Sequence, residues 1–171
     1  PPRGARGASE YDPIHDQLAE ARQLLSGLGL HEAQGQTLIA ESAAALVQPA
    51  SPGADDGRPA GAVPLANPLS SDMNVLRPSL LPGLLESLKH NLSRQNQDVA
   101  LFEVGRVFLH SDDGVGEHRR IGLALTGRRQ PTFWSGADRD AKFDAADLKG
   151  LVEEFLEQYG LRGVSYARTI E

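Results

Sequence analysis

Few residues in this chain are spaced for chemistry, and each group invites a specific test. His110, Asp112, Asp113, Glu117 and His118 place imidazoles and carboxylates within nine residues, the ligand types a divalent metal prefers. They fall in a glycine-bearing turn, where such ligands splay into water without a second shell to orient them, so a solvated turn is the expected reading. Gly27-Leu28-Gly29 has the start of a dinucleotide loop, but Glu32 stands where the third glycine belongs and a helix precedes it where a strand is required. It reads as a helix terminator. Arg119-Arg120 and Arg128-Arg129 form the basic concentrations, either solvated strand ends or a contact for RNA or a subunit. Arg77, between Leu76 and Pro78 at a helix entrance, suits two roles: an anchor at an interface, or a local cap for loop carbonyls or Asp72. Trp134, beside Phe133 in a loop, is either an interface anchor or packed on its own domain. Asn67, before Pro68, reads as a turn residue satisfying local backbone groups. Asp147 and Lys149 read as first-turn charge and helix-capping groups. Asn91-Leu92-Ser93 matches a glycosylation sequon by chance, inside a helix. No nucleophile–base set is apparent, and no residue is assigned a catalytic, cofactor-binding or metal-binding role.

Composition narrows the classes further. Seventeen Lys and Arg against 23 Asp and Glu give a net charge of −6, which offers little support for a nonspecific grip on phosphate backbones. Cysteine is absent, removing disulfides and thiol chemistry, and no apolar run approaches the ~18 residues of a membrane span. A soluble, cytoplasmic setting is the expectation. With 171 residues and 40% apolar content, one compact unit is expected.

The elements that would position these residues follow from periodicity. Residues 1–11 read as a linker. A helix follows, with Asp12 as cap, Pro13 in the first position, and Ile14, Leu18, Ala21, Leu25 and Leu28 on one stripe, ending at Gly27 and Gly29. Residues 36–40 suggest a short strand, Ser42 to Val47 a helical turn capped by Ser42, and 63–66 another brief strand. Between them, 48–62 is so rich in Pro, Gly and Asp that a flexible loop is expected. A helix from Pro78 or Ser79 would set Leu81, Leu84, Leu85, Leu88 and Leu92 on one packed stripe. Val99 to Leu109 is apolar on both alternating faces and predicts an interior strand, paired in a hairpin with Arg120 to Thr126. A last helix runs from an Asp144 cap to Tyr159 and stops at Gly160, and Val164, Tyr166 and Arg168 suggest one more strand. The sum is α+β, an antiparallel β-sheet flanked by helices.

Certain phrases carry more than periodicity. Asn67-Pro68-Leu69-Ser70, the run from Leu76 to Leu85 (LRPSLLPGLL), Asn91 to Arg94 and Leu101 to Phe108 (LFEVGRVF) closely resemble the central block of bacterial phenylalanine–tRNA ligase beta subunits. Leu24 to Glu32 and Phe143 to Gly150 (FDAADLKG) are similar to further phrases of that family, in the same order. The resemblance implies a class II aminoacyl-tRNA synthetase-like core module over 12–171, non-catalytic and C-terminally truncated. In such an enzyme an alpha subunit supplies the active site for phenylalanine, ATP and Mg2+, within an α2β2 heterotetramer acting on tRNA(Phe). Class II active sites usually carry an arginine in a Phe-Arg-x-Glu phrase, because a guanidinium fork can hold the α-phosphate. The corresponding strand here places Glu103 after Phe102, and Arg106, on the opposite face of the strand, does not restore the pattern. The rival reading is a stand-alone regulatory domain that binds an amino acid or nucleotide on the inherited fold. A truncated sheet also implies a bare edge, expected either to self-associate or to be covered by the N-terminal segment.

Overall fold

The computed structural model describes residues 13–47, 62–68, 70–111, 114–130, 136 and 140–166. The expected linker, the loop at 48–61, Asp12 and Trp134 lie outside the described residues. At the centre is a long hairpin, β5 (Val99–Ser111) and β6 (Gly114–Thr126), in antiparallel register from Val99↔Thr126 to Ser111↔Gly114. The partner strand thus begins six residues earlier than Arg120, because Gly114 and Gly116 extend the ladder where a turn cluster was expected. β1 (His31–Glu32) adds to the other edge of β5, in parallel, with His31↔Leu101 and Glu32↔Phe102. β5 is therefore interior, as its two apolar faces require.

Each face of β5 organises its own core. On one, Phe102 is fully buried with Ala21 and Leu25 of α1 (Ile14–Gly27) and Phe155 of α4 (Ala145–Gln158). On the other, Val99, Leu101 and Val107 pack against Leu80 and Leu84, at the start of α3 (Leu81–Ser93). A small second sheet joins β2 (Leu38–Ile39), β4 (Val75–Leu76) and β3 (Val63–Pro64), antiparallel with β4 in the middle.

Local chemistry sets the helix ends, not always as expected. Asp144 caps α4 in a reciprocal box: its side chain accepts from Asp147 N–H at 2.9 Å, and Asp147 accepts from Asp144 N–H at 2.9 Å. Pro13 precedes α1 as its cap residue rather than occupying the first helical turn. α2 (Glu41–Ala45) begins before Ser42, and its Glu41 N–H donates to Asn74 Oδ1 at 2.9 Å, a cap supplied from another segment. The stripe of α3 is also rephased. Leu84 is buried and Leu80 joins it from the cap position, whereas Leu81, Leu85 and Leu92 stay 45%, 51% and 45% exposed. The last expected strand is absent from 161–166: Gly160 and Gly163 adopt positive φ and turn the chain, and Tyr166 places its ring under the Lys149 ammonium at 5.0 Å. Arg168 lies outside the described residues.

Candidate functional site

Arg77 links the two sheets. It follows β4, its N–H donates to Thr37 O at 2.9 Å, and its carbonyl accepts from Phe108 N–H at 2.9 Å. The guanidinium then turns inward, donating through Nε to Arg106 O at 2.8 Å and through Nη1 to Glu103 Oε1 at 2.6 Å. The two side chains are only 7% and 4% exposed, so this is a buried ion pair. Its partners are neither Asp72 nor a nearby loop but two residues of β5, Glu103 and Arg106, 26 and 29 positions away.

Three glycines make room for the pair. A Cβ on Gly35 would stand 3.1 Å from both Arg77 Nη1 and Glu103 Oε2. One on Gly105 would sit 2.9 Å from Leu80 Cδ2 and collide with Arg77 Nη2. Gly83, in the first turn of α3, brings the helix backbone beside Glu103 Oε2, where the positive end of the helix favours a carboxylate. Oε2 is buried without a hydrogen-bond partner among the described residues, so its local neutralisation comes from this field and from Arg77. The pair balances its charge internally. Its guanidinium is committed to a carboxylate and a carbonyl, and a phosphate entering here would have to displace Glu103.

The other candidates are dispersed. Asn67 is an exposed bend residue. Lys149 falls in the second turn of α4 and pairs with Glu153 at 3.2 Å, leaving the capping to Asp144 and Asp147. Of the suspected metal group, Asp112 and Asp113 lie outside the described residues and Glu117 pairs with Arg106 at 3.1 Å, and no cluster of three or more metal-ligating side chains occurs among the described residues. Arg128 and Arg129 are internal ties. Arg128 Nη2 holds Asp98 Oδ2 at 2.8 Å, while Arg129 reaches Asp147 at 2.8 Å and Asp144 at 3.2 Å, fastening the start of α4 to the hairpin. Asp98 was not singled out from sequence. Its position just before a long strand, 30 residues from its partner, carries no local signal.

These ties predict an acid response. The side-chain and then the backbone hydrogen bonds from Arg128 hold Asp98 below the ordinary value of 3.8, and Asp144 is lowered chiefly by the Asp147 N–H. Both groups bind protons more readily when unfolded. Their stabilisation is therefore complete above about pH 4 and lost as pH falls through the lowered folded values. Asp98→Asn should flatten the fall in urea midpoint between about pH 4 and pH 2 relative to the parent chain; an unchanged slope would remove Asp98 from the acid response.

The family model for the phenylalanyl-tRNA synthetase beta chain CLM domain matches residues 1–171. The chain belongs to that family. The CLM domain shares 39% identity over 155 residues with the phenylalanine–tRNA ligase beta subunit of Salinibacter ruber, covering 86% of this chain and 18% of that protein. With the Geobacter sulfurreducens beta subunit it shares 34% over 166 residues, 95% of this chain and 20% of that protein. It thus spans a fifth or less of these relatives. Among solved structures, a Desulfitobacterium hafniense pyrrolysyl-tRNA synthetase superposes with a TM-score of 0.65 at 18% identity, covering 92% of this chain and 51% of that one. A histidine–tRNA ligase subunit from Alicyclobacillus acidocaldarius gives 0.63 at 14% identity, over 95% and 44%. The CLM domain therefore has the class II synthetase-like fold. Neither phenylalanine of β5 is followed by arginine: Phe102 precedes Glu103, and Phe108 precedes Leu109.

Proposed function

We propose that this CLM domain is a non-catalytic scaffold of the phenylalanine–tRNA ligase beta subunit. It supports an alpha subunit, within an α2β2 cytoplasmic enzyme, during ATP-dependent attachment of phenylalanine to tRNA(Phe). The observation that carries the reading is the Arg77–Glu103 pair, which fills the interior beside the central strand with a matched charge pair. ATP with Mg2+ needs uncommitted cationic donors for its phosphates and an open set of oxygen ligands for the metal. The residues around β5 do not fit that demand, since Glu103 would repel a phosphate and the Arg77 guanidinium already donates to Glu103 and the Arg106 carbonyl. Both groups accordingly belong, in this reading, to the alpha subunit's site.

The test is phenylalanine-dependent ATP–pyrophosphate exchange. This chain alone should give the rate of the protein-free blank, and exchange that rises with phenylalanine would overturn the scaffold reading. The alpha subunit should in turn co-elute with the chain in light-scattering chromatography.

A further inference from the structure

Five arginines of the described fold are committed to carboxylates. Arg22 holds Glu32 at 2.6 Å, Arg77 holds Glu103 at 2.6 Å, Arg106 meets Glu117 at 3.1 Å, and Arg128 and Arg129 tie Asp98 and Asp147, each at 2.8 Å. Arg119 and Arg120 are not. Both are exposed, and neither has a carboxylate partner among the described residues. The Arg119 guanidinium makes no hydrogen bond or ion pair there, and Arg120 Nη1 donates to Arg119 O at 3.1 Å. Arg94 and Arg162 also lack a carboxylate, but each stands singly past a helix end.

The hairpin register sharpens the contrast. Arg119 lies directly opposite Arg106, and Arg120 opposite Gly105. The backbone groups of Phe102, Arg106 and Phe108 turn away from β6, to Ala33 and Arg77, so Arg106↔Arg119 is a non-hydrogen-bonded pair, the kind whose Cα atoms approach to about 4.5 Å. Their side chains share one face, and like charges so placed destabilise a hairpin. Glu117 offsets one of them. Arg120 rises on the other face, where the position across the ladder stays glycine because a Cβ on Gly105 would collide with Arg77 Nη2. The same parity turns the Arg119 carbonyl off the sheet, so its bond draws the Arg120 guanidinium round to the outer edge of β6. Two uncommitted forks thus flank that edge, at a cost to the fold that nothing within it repays.

We infer that this shoulder of the hairpin is a contact for an RNA backbone, Arg119 and Arg120 each taking one phosphate of tRNA(Phe), a contact that rests on the ligase role proposed above. A guanidinium fork matches phosphate oxygens bidentately, and a chain of phosphates crossing the edge meets one fork and then the other. Repeated charge at this spacing favours a phosphate backbone over the isolated carboxylates of a protein surface. The net charge of −6 and Glu117 nearby confine the grip to the shoulder. Phosphate contacts carry no sequence information, so cognate and non-cognate tRNA should depend on the pair alike.

The test is tRNA binding by the full-length beta subunit in complex with the alpha subunit, measured from about 50 to 200 mM salt. Arg119→Ala and Arg120→Ala should each weaken binding by about tenfold near 0.1 M salt and reduce the slope of log K against log salt by about 1, the double variant by about 2. Lysine at both positions should keep the slope. In this chain the urea midpoint of Arg119→Ala should not fall, because the variant removes the repulsion from Arg106. An unchanged slope in the double variant would overturn the inference, as would a lowered midpoint, which would assign Arg119 to the fold. Loss of co-elution with the alpha subunit would assign the pair to a protein interface and overturn it too. A parent complex that binds no tRNA at all would instead remove the ligase role itself, and the contact with it.

Discussion

Glu103→Ala is expected to destabilise the fold by about 3–5 kcal/mol, because it leaves the Arg77 guanidinium buried with one carbonyl and no counter-charge. The cost lies in the orphaned charge more than in the lost attraction. Replacing both partners, as Arg77→Met with Glu103→Leu, removes both desolvation penalties and should recover most of the loss. Arg77→Lys, with Glu103 kept, should itself be destabilising, since an ammonium cannot reach Glu103 and the Arg106 carbonyl with the same fork. Urea midpoints at pH 7 across the four proteins decide the matter. A Glu103→Ala loss below about 1 kcal/mol would mean that the pair behaves like a solvent-screened surface bridge. A double variant no better than the single one would mean that the pair contributes shape, fixed by Gly35, Gly83 and Gly105, more than charge balance.

The pair also marks where sequence reading stops. What is periodic was legible: β5 is apolar on both alternating faces, so its interior position followed from residue order, and Asp144 was legible as the cap of α4. The family phrases likewise marked out the fold. What depends on meeting a distant segment was not legible. Arg77 and Glu103 were each noticed, for unrelated reasons, but the contact between them forms only when β4 and β5 come together. The phase of α3 failed for a related reason. Leucines at 80, 81, 84, 85, 88 and 92 make two overlapping stripes, and only the β5 face selects the one through Leu80 and Leu84. The cap of α2 is similar: a local serine was available, but Asn74 from the β4 segment arrived first in space, if not in sequence.

Phe102→Ala should cost a comparable about 3–5 kcal/mol, by a different route. Its ring is fully buried among Leu25, Ala21 and Phe155, so truncation opens a cavity between two helices and a sheet that cannot all close in on it. The backbone of the same residue does separate work. Phe102 O accepts from Ala33 N–H at 2.7 Å and its Cα pairs with Glu32, so β1 is held by main-chain bonds that the substitution leaves in place. Global stability should therefore fall while the native register of β1 survives: the urea midpoint drops, yet the Ala33 amide in the folded variant still exchanges only through global unfolding. Ala33 exchanging by a faster local route would show instead that the ring, not the ladder, keeps β1 on the sheet. Leu84→Ala, on the opposite face, should lower stability by about 2–5 kcal/mol. Since Leu84 and Phe102 belong to different clusters on either side of β5, the two losses should add within about 0.5 kcal/mol. A large departure would mean that the strand passes strain from one face to the other.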